Sequence, residues 1–100
     1  MFRVILPTPL GDDDLHIALT DDRAELSMTN GSGVTSTIPS KSLVRTENAT
    51  IIEATSIAPF PFDAKIVLVQ GESQCQATVT VRDSEADIEI IKITSVAYEA

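Results

Sequence analysis

The chain of 100 residues has one cysteine, Cys75, so no disulfide can form within it. Tryptophan is absent and only 4% of residues are aromatic. Long apolar runs are missing too. None approaches the roughly 20 residues of a membrane-spanning helix, and the opening Met1–Leu6 is broken by Pro7 too soon to be the apolar stretch of a signal peptide. A cytoplasmic chain is the resulting expectation. Basic residues are scarce, with seven Lys and Arg against fifteen Asp and Glu, for a net charge of −8. Such a surface repels phosphate backbones and anionic lipid, which argues against nucleic acid and membrane as partners.

Catalytic and metal motifs are lacking as well. There is no Gly-x-Ser-x-Gly elbow, no Cys-x-x-Cys and no Asp-x-Asp-x-Asp-Gly calcium loop. Asn30–Thr37 has the glycines and hydroxyls of a phosphate loop but not its lysine, and no helical pattern follows. No cofactor is expected, and the balance of these absences leans away from an enzyme.

What the chain does have is β-branched residues. Ile, Val and Thr abound, and such side chains suit a pleated, half-buried surface better than a helix. Leu15, Ile17 and Leu19 alternate with His16 and Ala18. Ala24, Leu26 and Met28 alternate with Glu25, Ser27 and Thr29. With the polar Thr20–Arg23 between them, these runs predict a hairpin. Asn30-Gly31 supplies the next turn, and Val34–Ile38 returns as a third strand ended by Pro39. Ala49–Ile57 reads as a strand. The continuous apolar run Lys65–Gln70 predicts a strand covered on both faces. Cys75, Ala77, Val79 and Val81 give the cleanest alternation, with Cys75 on the inward side. In the last strand, about Asp87–Tyr98, the apolar set shifts phase from Ile88 and Ile90 to Ile91 and Ile93. A β-bulge near Ile90–Ile91, or burial on both faces, accounts for the shift. Ser40–Arg45 supports two readings, a short helical turn near 40–46 or a strand, and the strand is preferred because no helical period extends far enough.

With Phe2–Leu6 these make about eight short strands. The predicted fold is all-β, one domain over residues 1–100, a small antiparallel β-sandwich or barrel of about 7–8 strands.

Few residues stand out as a site. Asp12–Asp14 and Asp21–Asp22 fall at opposite ends of one strand, roughly 20 Å apart at about 3.3 Å per residue, so they cannot share a calcium ion. His16 is an outward residue with no partner that the sequence can place. Asp83, Glu85, Asp87 and Glu89 occupy every second position, and if the segment is extended their carboxylates line one strand face. Pro59-Phe60-Pro61-Phe62 is a stiff extended segment whose Phe60 and Phe62 either plug the end of the core or form a patch for a partner.

The function expected is a non-catalytic binding or assembly module, acting on a protein partner or on a second copy of the chain. Its candidate contact residues are Phe60, Phe62, Asp83, Glu85, Asp87 and Glu89. One alternative is a small-molecule-binding protein or enzyme with its pocket in a barrel mouth or between sheets. Another is an acidic decoy for a nucleic-acid-binding protein.

Overall fold

In the computed structural model, which describes residues 1–8, 11–56 and 61–99, the alternating segments become nine β-strands. They are β1 (Phe2–Thr8), β2 (Gly11–Leu19), β3 (Ala24–Thr29), β4 (Thr35–Ile38), β5 (Ser40–Arg45), β6 (Ala49–Ser56), β7 (Phe62–Gln70), β8 (Cys75–Asp83) and β9 (Ile88–Glu99). There is no helix among the described residues, so none is long and apolar enough to cross a membrane. Ser40–Arg45 takes the strand reading: it pairs with β6, from Ser40 opposite Ala54 to Arg45 opposite Thr50.

The strands form one antiparallel sheet in the order β4-β3-β2-β1-β9-β8-β7-β6-β5. Following the antiparallel pairs outward from β1 in both directions, β4 and β5 point the same way. They are also consecutive in the chain, with Pro39 alone between them. Thr35–Arg45 is therefore one course of chain. Its first part pairs with β3 and its second with β6, so the two edges of the sheet belong to the same segment and the sheet curls into a barrel. Counted this way the barrel has eight strands, the even number that an all-antiparallel ring requires. Pro39 has no N–H to give either ladder, which suits it to the handover point.

Arg45 spans the gap left there. Its guanidinium donates to the carbonyls of Asp21 (2.6 Å) and Thr20 (2.7 Å) in the β2–β3 turn. The β3–β4 turn is held by the Asn30 side chain, whose Oδ1 accepts from the amides of Ser32 and Val34. Gly33 has φ +83° there, which favours glycine.

The inward positions fill the lumen. Val4, Leu6, Leu15, Ile17, Leu26, Ile52, Ile66 and Val79 are almost wholly buried, and Ala24, Ala54, Ala64, Ala77 and Ala97 sit among them. Large and small side chains together fill an eight-stranded barrel. Cys75 belongs to this inward set, as its alternation predicts. The expectation for Lys65–Gln70 needs correcting. Within that run only Ile66 and Leu68 point inward, while Lys65 and Val69 are exposed and Val67 is half-buried. A barrel wall has one inner face, so the outward valines cover no second layer.

β9 carries the expected bulge. Val81 faces Ile91, but the next pair is Arg82 with Glu89, leaving Ile90 as the extra residue.

Candidate functional site

The β3–β4 and β8–β9 turns lie at one end of the barrel, where β1 and β6 end and β2 and β7 begin. The inward side chains leave a cavity of about 120 Å³ at this end. It is lined only by apolar groups, among them Leu15, Met28, Ile38, Phe62, Val81 and Ile91. Ligand pockets usually measure about 300–1,000 Å³, so this space suits a few carbon atoms at most. Phe62, at the start of β7, is half-buried against the core and forms part of that lining. Phe60 lies outside the described residues.

The acidic residues of the β8–β9 connection do not form a strand stripe. Their every-second-position pattern runs through a turn. Asp83 closes it, its Oδ1 accepting from the amides of Glu85 and Ala86 at 3.0 Å. Asp87 sits at φ +54° and takes the Arg82 guanidinium at 2.6 Å. Glu85 is exposed in the turn, and Glu89 alone lies in β9, opposite Arg82. The hydrogen bond that Arg82 donates to Asp87 does most to hold its guanidinium in the charged form, and the charges of Asp87 and Glu89 add to it.

A second polar group lies on the outer wall of β1 and β2. Arg3 clasps Asp14, with Nη2 at 2.5 Å and Nε at 3.2 Å from the carboxylate. His16 Nε2 stands 3.5 Å from the other oxygen. The Arg3 hydrogen bond keeps the Asp14 carboxyl below its ordinary range, against the opposing effect of partial burial. This is an outer-wall ion pair with a flanking imidazole. Asp12 and Asp13 follow Gly11 at the start of β2, while Asp21 and Asp22 lie in the turn at its far end.

The feature that sequence reasoning did not locate is an edge. β9 pairs with β8 from Ile88 to Ala97. On its other side it pairs with β1 through only two residue pairs among the described residues, Phe2 with Glu99 and Arg3 with Tyr98. Continuing that register brings Thr8, the last residue of β1, opposite Ile93. Ile88–Lys92 therefore runs past the end of β1, and among the described residues it has no partner on that rim. Ile88 is 60% exposed and Ile90 47% exposed on this rim.

No family model, curated protein or solved structure matches the chain. The reading of function rests on this geometry.

Proposed function

We propose that the chain is a non-catalytic binding module that receives an extended segment of another protein along the free rim of β9. The observation that carries this reading is the one-sided pairing of Ile88–Lys92. An unpaired strand edge presents a row of backbone donors and acceptors ready to add another strand, and exposed apolar side chains on that edge favour its capture. Ile88 and Ile90 supply those side chains.

The lumen supports the same reading. Apart from the Cys75 thiol, the buried side chains among the described residues are all hydrocarbon, so the interior offers little to orient a polar ligand. The cavity is also too small for a drug-sized molecule.

An array of immobilised ten-residue peptides that alternate β-branched and charged residues tests the proposal. The wild-type chain should be retained by a subset of them, and the bound peptides should shift the backbone amide resonances of Ile88–Lys92. Ile90→Asp, which replaces an exposed apolar side chain of this rim by a charge, should lose that retention while keeping its melting behaviour. If no peptide is retained, or if the shifts fall elsewhere on the barrel, the module reading fails.

A further inference from the structure

Lys65–Gln70 carries apolar residues on both faces, and its own barrel buries only Ile66 and Leu68. The outward side chains continue into the neighbouring strands. Val67 faces Ile51 and Val69 faces Ala49 on β6, while Ile51 faces Val44 on β5. Val44 is 52% exposed and Val69 44% exposed. The outward residues are polar on β3 (Glu25, Ser27 and Thr29) and on β8 (Gln76, Thr78, Thr80 and Arg82). Ile51 and Val67 each lie five residues from the strand ends at Ser56 and Phe62, roughly 16 Å at about 3.3 Å per residue. We infer that this wall stacks face to face on the same wall of a second copy, about a two-fold axis that runs along the β6–β7 ladder. It lies apart from the β9 rim and does not depend on the reading above.

The register of the ladder fixes what such an axis brings together. An axis parallel to the strands and midway between β6 and β7 lays β6 of one copy over β7 of the other, at the same height. Each residue then lies over the copy of its own ladder partner: Ile51 over Val67, Ala49 over Val69 and Glu53 over Lys65. The apolar pairs meet in the middle. The Glu53–Lys65 match occurs twice, once on each side of the axis, as a two-fold interface requires. Stacked sheets lie about 10 Å apart with their strands within about 30° of each other, a gap that Glu and Lys side chains can bridge from its two sides. The second buried face that the sequence of β7 suggests is then supplied by another molecule.

Charge selects a second copy as the occupant. The chain carries −8, so two copies repel over most of their surface. Beside this patch the outward charges cancel, Lys41 and Lys65 against Glu53 and Asp63. Glu53 and Lys65 face each other in the ladder, yet neither makes an ion pair within the chain among the described residues. Both are free to pair across the axis. A contact confined to three strands a side falls below the roughly 20–30 residues of a standard interface, so the association expected is weak and concentration-dependent.

The test follows the full chain by sedimentation and light scattering from micromolar to millimolar concentration. Wild type should pass from monomer to dimer, and the amide resonances that move on dilution should be those of β6 and β7 around Ile51 and Val67. Glu53→Lys and Lys65→Glu should each weaken the dimer by about tenfold or more, because each sets like charges face to face twice. Mixed in equal amounts, the two variants should associate with each other about as tightly as wild type does with itself, since each supplies the charge that the other has reversed. Mixing leaves the like-charged ladder pair inside each variant unchanged, so the recovery reports contact between copies alone. Val69→Asp should abolish the dimer, and thermal melts check that each variant folds. A wild-type chain that stays monomeric to millimolar concentration overturns the inference, and that experiment decides even where a variant fails to fold. It is overturned equally by moving resonances confined to another wall, by a dimer indifferent to the charge reversals, or by variants that fail to associate when mixed. Peptide binding at the β9 rim is read separately, so the module reading can survive the loss of this dimer.

Discussion

Arg45 holds the backbone of Asp21 across the gap where β3 and β5 are not paired, with its guanidinium 2.6 Å from the Asp21 carbonyl. The neighbouring Thr20 carbonyl takes the other terminal nitrogen at 2.7 Å. The two bonds do what a ladder would have done if Pro39 had not shifted the chain from one edge to the other.

Replacing Arg45 by Met keeps the length of the side chain and removes the fork. The expected cost is about 1 kcal/mol, for bonds that are charge-assisted but solvent-exposed. In a domain of this size that lowers the melting temperature by about 4–8 °C. Lys in its place should recover only part of the loss, since an ammonium cannot address two carbonyls with the geometry of a planar fork. Thermal melts of the three proteins decide the matter, and equal midpoints would show that the gap needs no clasp.

The lumen predicts opposite outcomes for two alanines. Ala64 lines the 120 Å³ cavity. Valine there should fill part of it and stabilise the fold by about 1 kcal/mol, near the value of about 0.8 kcal/mol per buried methylene. Ala77 is fully buried away from the cavity, and leucine there should cost about 1–3 kcal/mol through overpacking. Chemical denaturation of both variants gives the two signs.

The Arg3–Asp14 pair makes a pH prediction. Asp14 has its folded pKa lowered, chiefly by the Arg3 hydrogen bond. Its contribution to stability is therefore in place above the unfolded value of about 3.9 and is lost as pH falls through the lowered one. In Arg3→Gln the Asp14 carboxyl resonance should titrate at higher pH than in wild type. Identical titration curves would mean that the clasp does not persist in solution.

Cys75 should resist alkylation in the folded chain. Burial raises its thiol pKa, and the charge of Glu99 adds to the effect, so thiolate is scarce and poorly accessible. The label should enter only as denaturant unfolds the barrel, following the same transition as the spectroscopic signal. Fast labelling in native buffer would place Cys75 at the surface.

Much of the fold was legible because half-buried strands write their faces into the sequence. β2, β3 and β8 alternate cleanly, and the phase change at Ile90–Ile91 announced the bulge that the β8–β9 register contains. Where both faces carried apolar residues, Ile66 and Leu68 inside and Val67 and Val69 outside, the contrast vanished and the outer wall passed for a second buried face. Ser40–Arg45 has no period of its own, and it is a strand because β6 lies beside it. The alternation of Asp83–Glu89 was real in the sequence but meant nothing for a shared face, since the chain turns within it at an Asp87 of positive φ. The candidate edge was hidden for a related reason. Its residues could be read in order, but a rim is free only when the neighbouring strand stops short, and the extent of the β1–β9 pairing is a property of the fold.

The ring has two seams of different kinds. At Pro39 the seam is crossed by the chain itself. Between β1 and β9 it is secured, among the described residues, by two residue pairs and by the side chains packed beneath them. When the barrel breathes, it should part at the second seam and unroll from there, with the other ladders intact. Amide protons of β1 and of the outer rim of β9 would then exchange with solvent ahead of those in β7 and β8. An unrolled sheet of this kind is also a molecule that could close on the β1 of its neighbour rather than its own, so its weakest seam is the natural place for two copies to trade strands.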